Sequence, residues 1–271
     1  MRTPASVDFY VVIPYYNDWQ GLIRSVESIF YKHDSYAILI IDDGSDVTLE
    51  YAHLLPHISP KHFVKIIRLP SNQGITKALN AGLKWLNTVK GYKYIARLDC
   101  GDICASERFY QQVAFLEQHP DTGLIGSWCV FKDFDTGSSY LYKTPTRHKD
   151  IRRLMYFRNL FIHPTVMWRA SQLDRELYPD DFPHAEDYGL FYKMIGSMNS
   201  AILPEKLVTC KINPKGLSLK YRQEQLKSRI KVVRHYGENQ LLTGLAVIRL
   251  RLMMLLPYPL ILGIKRMLYR I

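Results

Sequence analysis

Tyr36-Ala37-Ile38-Leu39-Ile40-Ile41-Asp42-Asp43-Gly44-Ser45 is an aliphatic, β-branched run that stops at two carboxylates and a glycine. Such a run reads as a fully buried strand, and Asp-Gly as the turn that ends it. Two further acidic signatures follow in the chain: Arg97-Leu98-Asp99-Cys100-Gly101-Asp102 and His184-Ala185-Glu186-Asp187-Tyr188. A segment with the same apolar-then-polar character, Val12-Ile13-Pro14-Tyr15-Tyr16-Asn17, precedes them all. One cluster is ordinary turn chemistry. Three in this order place carboxylates at the carboxyl edge of a sheet, where open α/β sheets bind ligands.

Working outward, the spacing predicts strands over 8–14, 36–41, 63–69 and 92–98. Helices are expected over 19–30, 74–86 and 107–119, the last capped by Ser106 and ended by Pro120, with a weak helix over 47–57. Strand alternating with helix argues for an α/β fold, a parallel sheet with helices on both faces. After Gly123 the rhythm changes. Strands over 124–131 and 164–169, a turn at Asp135-Thr136-Gly137, and helices over 151–157, 186–196 and 217–236 are expected there. Trp128 and Trp168 read as core residues rather than sugar-stacking platforms.

The chain has 271 residues, 47% of them hydrophobic and 23% charged, which suits a folded protein with a full core. Its four cysteines are irregularly spaced. Cys100 and Cys104 form a C-x3-C pair without a second pair or nearby histidine, so no zinc site is expected. Met1 leads straight into the first strand without a signal-like segment, and a cytosolic chain with reduced thiols is expected. The net charge of +11 is uneven: residues 1–210 carry 23 basic and 23 acidic residues, whereas 211–271 carry 13 basic and 2 acidic. The basic block points to an anionic partner surface.

The ordered motifs over about residues 7–220 resemble the inverting glycosyltransferases of family 2, which have the GT-A fold and use nucleotide-sugar donors. The resemblance implies a nucleotide-binding half at about 1–122 and an acceptor-side half at about 123–220, and the chain beyond it, 221–271, reads from its composition as a basic helical extension. The resemblance also implies a role for each motif. Pro14, Tyr15, Tyr16 and Asn17 present backbone and an aromatic face to the base, and Asp43 accepts from a uracil imide. Asn72-Gln73-Gly74-Ile75-Thr76-Lys77 matches the loop that faces the nucleotide, with Lys77 where arginine is usual. A lysine keeps the charge but loses bidentate geometry.

Asp99-Cys100-Gly101-Asp102 stands where the family carries its Asp-x-Asp motif, which implies Mn²⁺ or Mg²⁺ on the diphosphate. Hard oxygen ligands suit those cations. Here the second position is Gly101, which leaves Asp99 and Asp102 as the metal candidates. The family's basic closing segment corresponds to Cys210-Lys211-Ile212-Asn213-Pro214-Lys215, with Asn213 where histidine is usual. Lys211 and Lys215 are the candidates to neutralise diphosphate.

Asp187 is the implied general base, and Glu186 its helix-start neighbour on the acceptor side. Charges favouring a helix N-terminus would explain the same pair. His163, in His163-Pro164-Thr165, either faces donor sugar or acceptor or is a satisfied structural histidine. Transfer of a hexose or N-acetylhexosamine from a UDP-sugar is expected, with dTDP-rhamnose as an alternative donor. The acceptor is expected to be a lipid-linked glycan in surface polysaccharide (O-antigen type) assembly, with the chain peripheral at the inner face of the membrane.

Other classes fit less well. A sugar-phosphate nucleotidyltransferase would carry a glycine-rich basic loop where Pro14-Tyr15-Tyr16-Asn17-Asp18 stands. An aspartyl phosphatase would need Asp-x-Asp where Asp42-Asp43 stands. A degenerate core serving as a nucleic-acid module would carry polar residues among its tail cations. The tail's Leu, Ile and Met content favours an anionic membrane surface instead, with no nucleic acid. Its longest uncharged run, 252–264, has 13 residues and two prolines, too short to span a bilayer.

Overall fold

The computed structural model describes residues 6–175, 177–212 and 221–256. β1 (Val7–Tyr15) lies between β2 (Tyr36–Asp42) and β4 (Tyr92–Arg97), parallel to both, and β3 (Phe63–Arg68) extends the sheet beyond β2. The register sets Tyr15 opposite Asp42 and Val12 opposite Arg97. One edge of the sheet therefore collects the ends of β1, β2 and β4.

All seven residues of β2 are buried, because the sheet is covered on both faces. Tyr10, Val12, Leu39 and Ile41 point to one core, and Phe9, Val11, Ile13, Ile38 and Ile40 to the other. Each such side chain contributes about 1.5–3 kcal/mol on full burial. Helix α1 (Trp19–Glu27) opens with Asp18, whose Oδ1 accepts from the Gly21 amide at 2.9 Å. Helix α3 (Ile75–Leu86) covers the first core with Ala78, Leu79, Leu83 and Leu86. The segment read as a weak helix is shorter than expected: α2 (Tyr51–Leu54) and one 3-10 turn.

Beyond β4 the sheet turns mixed. β8 (Met167–Arg169) joins β4 antiparallel, then β6 (Thr122–Lys132), β9 (Asn199–Lys211) and the short β5 (Ile103–Cys104) follow, and β7 (Ser139–Tyr142) pairs with β6. β9 is not expected from the sequence, because Pro204-Glu205-Lys206 interrupts its alternation. The structure absorbs the interruption as a bulge, with Ser127 opposite Leu203 and Trp128 opposite Lys206.

Three local expectations change. Helix α4 (Arg108–Gln118) starts after Glu107 without a side-chain cap, so Ser106 does not cap it; buried Arg108 instead donates to the Arg97 carbonyl at 2.6 Å. Helix α5 (His148–Leu154) begins three residues early, because Arg147 is bridged to Ala201 of β9 and releases the chain there. Residues 163–165 form a 3-10 turn rather than strand, leaving only Met167–Arg169 in the sheet. Trp168 is fully buried in the core, as expected.

Over its described residues, 221–256, the basic extension is helical and packed. α6 (Glu186–Ser197) contacts α7 (Arg222–Tyr236), which pairs with α8 (Gln240–Leu255). Val232, Val233 and Ala246 belong to the same buried cluster as the sheet. Over the described residues, the helices beyond 221 therefore share one buried core with the sheet. Lys215, Asn213 and the tail after Leu256 lie outside those residues.

Candidate active site

At the end of β2 the two aspartates divide their work. Asp42 is fully buried; its Oδ2 takes an ion pair from Arg68 at 2.6 Å, and its Oδ1 accepts from the Ser45 amide at 2.8 Å. Asp43 accepts from the Gln73 amide at 2.8 Å and the Gly74 amide at 2.9 Å, one on each oxygen. It therefore ties the loop carrying Asn72 and Gly74 to the strand end, while each oxygen keeps a lone pair for a further donor. Gly44, at φ 72°, is required: a Cβ there would collide with the Ser71 backbone. Tyr15 is buried beside this turn, its carbonyl accepting from the Asp43 amide at 2.9 Å, and Tyr16, Asn72 and Lys77 are exposed. Asn17, at φ 51°, is clipped to Asp46 by Asn17 Nδ2–Asp46 Oδ2 (3.1 Å) and Asp46 N–Asn17 Oδ1 (2.9 Å). Pro14 lies within β1, opposite Ile41.

At the end of β4 a residue absent from the sequence-derived candidates organises the site. Arg97 is fully buried; its Nη1 donates to the Val12 carbonyl, its Nη2 to Asp99 Oδ1 at 2.6 Å, and its Nε to His163 Nε2 at 3.2 Å. His163 Nε2 also meets the Tyr178 hydroxyl at 2.7 Å, and His163 Nδ1 lies 3.8 Å from Asp99 Oδ2. An imidazole nitrogen that accepts from arginine leaves the proton on Nδ1, facing Asp99. Burial, reinforced by Arg97 against the opposing pull of Asp99, lowers the His163 pKa and keeps the ring neutral. Tyr178 is held in turn by Asn80, with Nδ2 to its carbonyl at 2.8 Å and Oδ1 from its amide at 2.9 Å. Burial pushes the Tyr178 phenol up, and the charges that act on it include Arg97, Asp99, Asp187 and Glu186. Tyr178 thus feels the charge of two of the acidic signatures.

Asp102 has a different environment. It is buried, and its Oδ1 accepts from the Lys211 amide at 2.8 Å, which fastens β9 to the loop. Burial, then the charge of Asp99, raises its pKa well above the usual carboxylate range. The Lys211 side chain runs past Gly101 and ends 3.8 Å from Asp18 Oδ2. Among the described residues no group of three or more His, Cys, Asp and Glu side chains is arranged to hold a metal. Of the two carboxylates, the more exposed Asp99 is better disposed to meet a cation that brings its own phosphate and water ligands, and Asp102, buried and favouring its protonated form, is worse disposed.

The third signature opens α6. Asp187 accepts from Asn159 Nδ2 at 2.9 Å and from the Tyr188 amide at 2.6 Å. Burial, then the neighbouring Asp187 charge, pushes the Glu186 carboxyl up to about 7. His184, at φ 61°, stacks on Tyr221 at 4.3 Å, and its carbonyl accepts from Gln225 Nε2 at 2.9 Å. The loop that delivers Glu186 and Asp187 is therefore braced by α7. Asp18, Arg97, Asn159 and Tyr178 were missed by sequence reasoning. Arg97 opens one of the quoted acidic signatures and Asp18 directly precedes the first expected helix, so both had a local signal.

Residues 10–178 match the Glycosyl transferase family 2 profile, and the chain belongs to that family. It is a glycosyltransferase with a curled mixed α/β sheet of the GT-A kind. It is similar to the amylovoran biosynthesis glycosyltransferase AmsE of Erwinia amylovora, at 28% identity over 240 residues, covering 83% of this chain and 84% of the relative. Two solved structures share the fold. S. aureus TarS 1-349, in complex with UDP-GlcNAc, superposes with a TM-score of 0.63 at 16% identity, covering 89% of this chain and 70% of that one. A mannosyltransferase from Pyrobaculum calidifontis, in complex with GDP-Man and Mn²⁺, does so with a TM-score of 0.63 at 16% identity, covering 90% and 69%.

Proposed function

We propose that this glycosyltransferase inverts configuration as it moves a hexose or N-acetylhexosamine from a UDP-sugar to a sugar hydroxyl of a lipid-linked glycan. The work is placed at the inner, cytoplasmic face of the membrane, in surface polysaccharide assembly. The observation that supports the reading is a link between two carboxylate sites: Asp99 lies 3.8 Å from His163 Nδ1, and His163 Nε2 meets the hydroxyl of Tyr178, which also feels the charges of Asp187 and Glu186. A donor diphosphate at the first site and an acceptor hydroxyl at the second would meet across His163 and Tyr178.

In that reading the acceptor oxygen attacks the anomeric carbon from the face opposite the departing nucleotide. Asp187 takes its proton, a contribution of about 10²–10⁴ in rate for a positioned base. Asn159 holds one Asp187 oxygen and so orients the other. Asp43, Tyr15 and Tyr16 would receive the base. Lys77 and Lys211, with Lys215 beyond the described residues, would face the diphosphate. Mn²⁺ or Mg²⁺ bound through Asp99 would supply further positive charge there. The name of AmsE and the UDP-GlcNAc bound to TarS support the polysaccharide and donor choices. The basic block over 211–271 supports the membrane choice.

A thermal-shift screen tests the donor. UDP with Mn²⁺ should raise Tm most, since a ligand at 100 times its Kd adds about 2.7 kcal/mol of stability. A larger shift with GDP or dTDP would sink the uridine assignment.

A further inference from the structure

Helix α8 has two apolar ridges and only one is covered. Ala246, Val247 and Leu250 are buried against the fold. Leu241, Leu245, Ile248, Leu252 and Leu255 are 73, 48, 57, 56 and 80% exposed. Their spacing of four and three residues puts all five on one side of the helix, and a contiguous apolar strip of that kind marks an interaction surface.

Charge decides what covers it. Residues 239–256 contain no acidic side chain, and Arg249 and Arg251 flank the strip. Glu238, just before the helix, is paired with Arg152 at 2.6 Å. A second copy laid along the strip would bring the two Arg251 side chains together, beside the two Arg249 side chains whose Nη1 donates to the Phe157 carbonyl at 2.7 Å, without a carboxylate from either helix. An anionic headgroup layer would meet the same arginines with opposite charge. Sixteen residues span about 24 Å, and among the described residues no helix is long and apolar enough to cross a membrane. The helix is suited to lie flat.

We infer that the outer ridge of α8 is a docking face for an anionic lipid surface, the leucines entering the headgroup boundary and Arg251 remaining among the headgroups. The inference rests on the lipid-linked acceptor reading and gives it a physical site. It also links docking to chemistry. Arg222 donates to the Met253 carbonyl, Gln223 Nε2 to the Met254 carbonyl at 3.1 Å, and Gln225 Nε2 to the His184 carbonyl at 2.9 Å. The docked helix is thereby tied, through α7, to the loop that presents Glu186 and Asp187.

The test compares the full chain with its Leu245→Glu/Leu252→Glu variant in sedimentation with phosphatidylcholine vesicles, with and without phosphatidylglycerol. The wild type should bind only the anionic vesicles, and the variant should lose at least about tenfold in partitioning with Tm and the UDP shift unchanged. Undiminished binding by the variant would overturn this face and transfer docking to residues beyond 256. A wild type that binds neither vesicle would overturn the face and the membrane reading together. A wild-type dimer that the variant breaks, without vesicle binding, would make the occupant a second copy. A lowered Tm of the variant would show the ridge already covered by its own chain, which also overturns the inference. Absence of a UDP shift in the wild type would sink the donor reading alone and leave the vesicle result standing.

Discussion

Arg97 reaches Asp99 across 2.6 Å from a position with no solvent exposure, so the carboxylate that would face the donor is held by a guanidinium the donor never meets. The same guanidinium fixes the Val12 carbonyl and His163. Because Asp99 is half-exposed, removing the guanidinium chiefly deprives the buried Val12 carbonyl and His163 of a donor, at a cost of about 1–3 kcal/mol. Arg97→Met should therefore lower unfolding free energy by about that amount in urea. A loss below about 1 kcal/mol would show that the hub is dispensable.

Asp187→Asn should abolish transfer while leaving UDP binding intact, because a proton acceptor is removed with little change of shape. An amide oxygen still accepts from Tyr188, but the Asn159 contact must be rebuilt. Turnover at a tenth of wild type or more would exclude Asp187 as the base. Asn159→Ala, which frees the carboxylate without removing it, should lower kcat more than it raises KM.

Glu186 offers a sign-specific pH test. Its folded pKa, about 7, lies above the ordinary 4.5, so the folded state holds the proton more tightly than the unfolded one. The stabilisation is fully present below about pH 4.5 and is lost as pH rises through about 7. The Tm of Glu186→Gln relative to wild type should therefore climb between pH 5 and pH 8. A flat difference would show that Glu186 is not protonated in the folded protein at the lower pH.

Metal use separates the two aspartates. EDTA should suppress transfer and Mn²⁺ should restore it. Asp99→Asn should raise the Mn²⁺ concentration for half activation by about tenfold or more, the loss expected of a charged ligand. Asp102→Asn, whose oxygen can still accept from Lys211, should leave that concentration unchanged. The opposite ranking would return Asp102 to the metal. Full activity in chelator would leave the diphosphate to the lysines.

What the sequence by itself determined is local. Apolar runs ending in carboxylates set the strands and place Asp43 and Asp99 at one sheet edge, and helical spacing set α1, α3 and α6 to within a few residues. Each of these rests on periodicity and turn chemistry over ten or so neighbouring residues. Tertiary structure decided what those carboxylates touch. Arg97 finds His163 across 66 positions, Asn159 finds Asp187 across 28, and Asp102 is taken up by Lys211 across 109. β9 was hidden for a related reason: its bulge at Pro204 breaks the alternation, and only pairing with β6 restores the strand. Likewise, apolar residues fall on more than one face of α8, and only its packing against α7 and the shared core divides them into a buried and an exposed ridge. Spacing along a chain records which face a residue prefers; which partner waits there depends on closing loops of tens of residues, and no local pattern carries that.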